Sequence, residues 1–248
     1  MLEAEWAFVD SVDGVCDVVE RAVKDVLGGV GVLGMKETLG VLRRHSGLYE
    51  DQGGKEGLGR LRMLEEAARM DRGWERMSYS EAVRELRKYH LEAGQGKFKF
   101  EPVWGASLQS EHERWLAERL VGGPVFVTDY PAALKPFYMR SNSAGSVKAD
   151  PHAEGETVAC FDLLVPYLGE LVGGSVREER LSELRKSLER HGLDEKEFEW
   201  YLDLRRFGSA PHGGFGLGVD RLVQWMSGIE NIRECVPMPR YVGRMLVS

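Results

Sequence analysis

Three glycines alternate with three large apolar residues close to the end of the chain, in a stretch that runs from His212 to Arg221. Successive side chains of a β-strand point to opposite faces of its sheet, so this alternation predicts a strand with one bulky face and one face of bare backbone. Glycine weakens a strand, and a complete glycine face therefore indicates that a flat group comes close to the backbone. The glycines are Gly214, Gly216 and Gly218, and the apolar residues are Phe215, Leu217 and Val219.

Arg221 follows this strand at the corner where a helix is predicted to begin. There its planar guanidinium could cover a base or clamp a phosphate. The spacing alone leaves a second interpretation equally open, in which the glycines admit a neighbouring helix and Arg221 makes an ordinary salt bridge.

Two carboxylates frame a second stretch of interest. Asp162 interrupts an apolar strand predicted over 157–165. A carboxylate in such a strand needs a cation, a hydrogen-bond donor or exposure to solvent. Glu170 returns after a Pro/Gly turn, at a distance that suits a neighbouring antiparallel strand. Two carboxylates that face one space suit Mg²⁺ together with substrate phosphates. The alternative is one exposed aspartate and one glutamate at a sheet edge.

A third candidate is Arg177, which follows the glycine pair at 173–174. An arginine just past such a turn could bind a carboxylate or an amide oxygen with its fork of donors. The alternative is a helix N-terminus that carries ordinary surface charges.

The rest of the chain predicts mixed α and β structure, with strands concentrated late. Apolar residues at helical spacing predict a helix over 13–27, and a glycine-rich stretch over 28–59 predicts an irregular insert. A short β-branched run predicts a strand over 125–128. Leucines at helical spacing predict a helix over 177–191, and another helix is expected from Asp194.

Two further helix starts are predicted from capping boxes, in which a serine is followed three residues later by a glutamate. These boxes are Ser78-x-x-Glu81 and Ser110-x-x-Glu113.

Composition disfavours several classes of protein. The formal net charge is −7, so a broad basic surface for DNA is not expected. The chain has no apolar run near the roughly 20 residues of a membrane helix, and no membrane partner is expected. Three cysteines lie far apart without the spacing of a zinc site, which fits a reducing compartment.

Several stretches, taken in order, resemble the asparaginyl-tRNA synthetase family, in the aspartyl/asparaginyl subgroup of class II. The similarity covers nearly the whole chain. It is densest in PVFVTDYP at 124–131, KPFYMR at 135–140, FDLLVP at 161–166, GELVGGS and REER over 169–180, and the block over 214–240, which is similar to class II motif 3 and its tail.

The resemblance implies an α+β fold in which an antiparallel sheet flanked by helices binds ATP in a bent form. Residues 1–248 would form part of one catalytic domain, with the insert at 28–59. The family's anticodon-binding barrel, motif 1 and most of motif 2 have no counterpart here, so this chain is expected to be N-terminally truncated. Without the motif 2 arginine, a loss of roughly 10²–10³-fold in rate is expected.

The resemblance also implies roles for the nucleotide-site residues. Arg221 is similar to the catalytic motif 3 arginine that packs on adenine and reaches the γ-phosphate. Gly216 and Gly218 would give the base its clearance. Asp162 and Glu170 match the carboxylates that hold Mg²⁺ and ATP.

Three residues are implied in binding the amino acid. Arg177 matches the arginine that recognises its side chain, and Glu3 resembles the acid that anchors it at the end of motif 2. Lys135 is placed near the pocket by its matching neighbours.

The activity implied is ATP-dependent activation of asparagine and its transfer to tRNA(Asn), by an enzyme that is a homodimer at full length and works in the mitochondrial matrix or the cytoplasm. Two alternatives stay open. One is a non-catalytic binding or regulatory module derived from a synthetase, and the other is an amide-forming ligase that makes free asparagine.

Overall fold

A single sheet of six strands organises the computed structural model, which describes residues 1–31, 54–92, 97–142, 150 and 152–239. The strand order is β1-β6-β5-β4-β3-β2. All neighbours are antiparallel except β2 and β3, which are parallel, so the expectation of an antiparallel sheet needs this correction. The strands are β1 (Leu2–Ala7), β2 (Glu75–Ser78), β3 (Val125–Thr128), β4 (Cys160–Val165), β5 (Gly169–Val176) and β6 (His212–Leu217).

Seven α-helices accompany the strands in the described ranges. They are α1 (Val12–Gly31), α2 (Gly54–Arg69), α3 (Tyr79–Glu92), α4 (Ser110–Trp115), α5 (Leu181–Arg190), α6 (Glu199–Arg206) and α7 (Val219–Ser227). Helix α4 passes directly into a π-helical segment over Leu116–Val121. None of these helices is long and apolar enough to cross a membrane.

Alternation along the strands divides the core between the two faces of the sheet. Phe126, Phe161 and Phe215 are buried on one face, in the same cluster as side chains of α1 and α2. Val125 and Val127 are buried on the other face with side chains of α3 and of the π-helical segment. Burying a large apolar side chain stabilises a fold by about 1.5–3 kcal/mol, so both layers hold the sheet.

The predicted helix over 13–27 is confirmed and is longer at both ends. The capping box at the start of α3 is also confirmed, because Glu81 Oε2 accepts from the Ser78 amide at 2.9 Å and Ser78 Oγ accepts from the Glu81 amide at 3.1 Å. The prediction of a capping box at Ser110 and Glu113 is wrong. Helix α4 is instead capped by Gln109 together with His112, and Glu113 turns towards β5.

Two later helices begin after the residues at which they were expected. Helix α5 starts at Leu181, because the backbone of Arg177 and Glu178 continues beyond β5 and pairs with neighbouring segments. Helix α6 starts at Glu199 rather than at Asp194.

The predicted irregular insert over 28–59 is entered by helices from both sides. Helix α1 reaches Gly31 and α2 begins at Gly54. The remainder of that prediction, over 32–53, lies outside the described residues.

Candidate active site

One row of side-chain positions crosses four strands of the sheet. Asp162 on β4 pairs with Gly173 on β5, Gly173 pairs with Gly216 on β6, and Gly216 pairs with Glu3 on β1. Residues that are directly opposite one another in antiparallel strands project to the same face. The register therefore places two bare glycines between two carboxylates, on a floor wide enough for a flat group.

The two predicted cation ligands converge above this floor. A methyl group built on Gly173 would lie 3.1 Å from Glu170 Oε1 and 3.5 Å from Asp162 Oδ1. Partial desolvation raises the pKa of Glu170, and the negative charge of Asp162 raises it further. Oxygen donors that repel each other across a small space suit a hard divalent cation, so this donor set fits Mg²⁺.

Lys135 lies at the same place, as expected, and it contacts Asp162 directly. Its Nζ donates to both carboxylate oxygens of Asp162, at 2.8 and 2.7 Å. The ammonium also lies 4.0 Å from the centre of the Tyr130 ring. Burial lowers the pKa of Lys135, but the charge of Asp162, its hydrogen bond and the charges of other acidic neighbours together outweigh burial, and the pKa is raised. Lys135 therefore stays charged and balances one of the two carboxylates.

Arg221 reaches the carboxylates from the first turn of α7. Burial raises the pKa of Glu113 and of Glu170, and the positive charge of Arg221 opposes this rise at both carboxylates. Its Nε is buried and has no hydrogen-bond partner among the described residues. A buried donor without a partner costs about 1–3 kcal/mol, so this atom is suited to an acceptor supplied by a ligand.

The three alternating glycines are covered by different groups. Gly214 faces the carboxylate of Glu5. A methyl group added to Gly216 would lie 3.3 Å from Met1 Sδ. Gly218 lies beyond the strand at the N-cap of α7, where an added methyl group would be 3.1 Å from Arg221 Cδ. The floor is therefore formed by Gly173, beneath the two carboxylates, and by Gly216, over which the exposed Met1 lies, whereas Gly218 makes room for the arginine.

Arg177 forms an ion pair with Glu5, which lies two residues beyond Glu3 on β1 and therefore on the same face of the sheet. Its Nε and Nη2 donate to the two oxygens of Glu5 at 2.9 and 3.0 Å, and its Nη1 donates to Ser175 Oγ. The guanidinium carbon is 5.1 Å from the centre of the Tyr138 ring. A rigid donor therefore lies beside a carboxylate acceptor, an arrangement that matches the two ends of a primary amide.

Comparison with known proteins decides the family. The family model described as "tRNA synthetases class II (D, K and N)" matches residues 1–242. The chain belongs to this family. The resemblance to asparaginyl-tRNA synthetases is confirmed, because the chain is 44% identical over 243 residues to an asparagine–tRNA ligase of Desulfotalea psychrophila. It is also 41% identical over 244 residues to that of Protochlamydia amoebophila.

Solved structures of class II synthetases show the same fold. The asparaginyl-tRNA synthetase of Pyrococcus horikoshii complexed with asparaginyl-adenylate matches 98% of this chain and 47% of its own, with a TM-score of 0.71 and 32% identity. That of Entamoeba histolytica matches 98% of this chain and 48% of its own, with a TM-score of 0.73 and 28% identity. The predicted class II catalytic fold is confirmed.

The chain spans about half the length of the curated relatives that it matches. The alignment with the Desulfotalea ligase covers 98% of this chain and 48% of the relative. The alignment with the Protochlamydia ligase covers 46% of that protein.

Within this class II fold, the predicted site residues Asp162, Glu170 and Lys135 meet at one place, and Arg221 faces them. Arg177 lies on the same face, and Glu3 is exposed opposite Gly216.

Two residues of the site, Glu5 and Glu113, were not predicted from the sequence. Glu5 carried a usable signal, because it is two residues after Glu3 in a strand and must share its face. Glu113 carried none, because it reaches the site from a helix that is distant in sequence.

Proposed function

We propose that this chain carries the amino-acid activation site of an asparagine–tRNA ligase, which uses ATP to join asparagine to tRNA(Asn). The observation that carries the proposal is the convergence of Asp162, Glu170 and Arg221 on a floor of bare glycine backbone. The asparaginyl-adenylate in the Pyrococcus complex supports the choice of substrates.

In this proposal ATP lies on Gly173 and Gly216. Arg221 packs its guanidinium on the adenine and donates to the terminal phosphate, which would satisfy its buried Nε. Asp162 and Glu170 hold Mg²⁺, which neutralises phosphate charge when it is bound. Lys135 orients the carboxylate of Asp162, because it donates to both of its oxygens.

Arg177 and Glu5 would recognise the side chain of asparagine. Arg177 donates to the amide oxygen, and Glu5 accepts from the amide nitrogen. Aspartate offers no donor at that position, and its carboxylate would be repelled by Glu5. Glu3 lies on the same face of β1, where it can accept from the substrate's amino group.

The reaction needs positioned groups rather than a strong base. The carboxylate of asparagine attacks the α-phosphate of ATP, and pyrophosphate leaves. A hydroxyl of the terminal ribose of the tRNA then attacks the aminoacyl carbonyl of the adenylate, and AMP leaves. Arg221 supplies positive charge. The glycine floor and the Arg177–Glu5 pair would hold ATP and asparagine in line for the reaction. At full length the enzyme is proposed to be a homodimer.

Asparagine-dependent exchange of pyrophosphate into ATP by the 248-residue chain tests this function, with aspartate as the matched control. Exchange with asparagine alone supports a ligase. Binding of ATP and asparagine in a calorimeter without exchange would favour a binding module. Release of free asparagine from aspartate would favour an amide-forming ligase, and the absence of ATP binding contradicts all three.

A further inference from the structure

The turn between β4 and β5 holds an unusual backbone conformation directly before Glu170. Tyr167 has a φ of +69° and Gly169 a φ of +90°. A bulky residue with positive φ is uncommon and persists where surrounding groups fix it. The Tyr167 ring is half exposed, with the guanidinium carbon of Arg60 4.8 Å from its centre, and this surface contact does not by itself fix the backbone of the turn.

Two glutamates from one helical element hold this turn from both sides. Glu118 Oε1 accepts from the amide of Tyr167 at 2.7 Å, and Glu113 Oε2 accepts from the amide of Glu170 at 3.3 Å. A methyl group on Gly169 would lie 2.5 Å from Glu113 Oε2, so a larger residue there would displace this carboxylate from its present position.

The π-helical segment explains how both glutamates reach the turn. Residues five apart in an α-helix lie about 140° apart around its axis, so their side chains would diverge. The hydrogen bonds of a π-helix join residues five apart, so its turn is wider and such side chains point in more similar directions. The change from α4 to the π-helical segment falls between Glu113 and Glu118.

We propose that Glu113 and Glu118 form a clamp that positions Glu170 to bind the cation that accompanies ATP, an inference that rests on the proposed function. The clamp fixes the backbone on each side of the turn, and Glu170 then points over Gly173 towards Asp162. Mutation of a residue that orients a metal ligand typically lowers the metal affinity by roughly 10–100-fold. Glu113 and Glu118 are thus positioning residues that need not touch the nucleotide.

Calorimetric titration of ATP at varied Mg²⁺ concentrations tests the clamp, with Glu113→Ala, Glu113→Gln and Glu118→Ala. Each alanine variant should raise the Mg²⁺ concentration for half-maximal ATP binding by roughly 10-fold. The glutamine variant keeps an acceptor oxygen, so its Mg²⁺ concentration for half-maximal ATP binding should lie close to that of the wild type. Asparagine binding should not change. Hydrogen exchange should speed up at the amides of Tyr167 and Glu170.

Glu111→Ala is the matched control. Glu111 lies on the same helix and accepts from two backbone amides, but these belong to Lys99 and Phe100. It should speed exchange at those amides and leave the Mg²⁺ dependence unchanged.

Faster exchange in the β4–β5 turn with unchanged Mg²⁺ dependence in Glu113→Ala and Glu118→Ala would overturn the clamp and leave the proposed function intact. If Glu113→Ala does not fold, an unchanged Mg²⁺ dependence in Glu118→Ala alone overturns it. A wild-type chain that binds no ATP would contradict the proposed function, and the clamp with it.

Discussion

The guanidinium of Arg177 is held on one side by both oxygens of Glu5 and on another by Ser175. An isolated arginine would bind a carboxylate at least as well as an amide. Beside Glu5, it becomes part of a site with a donor and an acceptor next to each other. In the proposed function, selectivity for asparagine is therefore a property of the pair rather than of Arg177 alone.

We expect Glu5→Gln to weaken the preference for asparagine over aspartate, because glutamine removes the charge that repels aspartate. The ratio of kcat/KM values in pyrophosphate exchange should fall by about 10-fold, which is about 1.4 kcal/mol. Glu195→Gln is the control, because Glu195 accepts from Arg185 at 2.9 Å in an exposed pair outside the site. An unchanged ratio in Glu5→Gln would show that Glu5 only holds Arg177 in place.

Asp129 makes a residue-scale prediction about pH. Burial raises its pKa, although it accepts from Thr128 and Asn142. A carboxyl whose folded pKa is raised favours folding at low pH, and this contribution is lost as pH rises through the folded pKa. Asp129→Asn lacks this loss. The free energy of unfolding of Asp129→Asn in urea, taken relative to that of the wild type, should therefore increase as pH rises above about 4. A constant difference across that range would contradict this.

At the scale of elements, β5 carries two adjacent glycines that serve opposite faces. Gly173 belongs to the open floor beneath Glu170 and Asp162. Gly174 faces the core, where an added methyl group would lie 2.6 Å from the ring of Phe161 and 2.8 Å from the carbonyl oxygen of Gly214. The same residue type therefore leaves room beneath two carboxylates at one position and allows close packing at the next.

Gly173→Ala and Gly174→Ala should separate these roles. Gly173→Ala should weaken binding of ATP with Mg²⁺ by roughly 10-fold and change stability little, because its methyl group enters the carboxylate site. Gly174→Ala should lower the free energy of unfolding by about 1–3 kcal/mol through overpacking. Calorimetry and urea unfolding of both variants measure the two effects. Equal losses of stability would contradict the assignment of faces.

At the scale of the whole molecule, the site exists only because distant segments meet on one sheet. Arg177 and Glu5 are 172 residues apart in sequence, and Lys135 and Asp162 are 27 apart. Ligands that bind such a site stabilise the folded chain, because the unfolded chain has no equivalent site. Unfolding should therefore report nucleotide binding.

ATP with Mg²⁺ at about 100 times its Kd should stabilise the chain by about 2.7 kcal/mol, seen as a rise in Tm. Arg221→Ala should remove this rise. Without ligand, the Tm of the variant should stay close to that of the wild type, because removal of the buried Nε without a described partner offsets the lost attraction to Glu170 and Glu113. A lower Tm without ligand would assign Arg221 a structural role instead.

Local patterns in the sequence predicted much of this architecture. The alternation around Gly216 predicted β6 and its bare face, and the stripe over 13–27 predicted α1, because strand and helix periodicities are properties of neighbouring residues. The resemblance to the synthetase family predicted that Asp162, Glu170 and Arg221 share one nucleotide site. The class II family assignment was also determined by sequence alone.

Only the tertiary structure decided which residues face each other across the site. Strand register set the row from Asp162 to Glu3, and parallel pairing of β2 depends on a partner 50 residues away, from Glu75 to Val125. The pairing of Glu5 with Arg177 and the hydrogen bond from the Glu170 amide to Glu113 likewise join segments that are distant in sequence. Hydrogen bonds and burial between distant segments fix these contacts, and no periodicity within one segment encodes them.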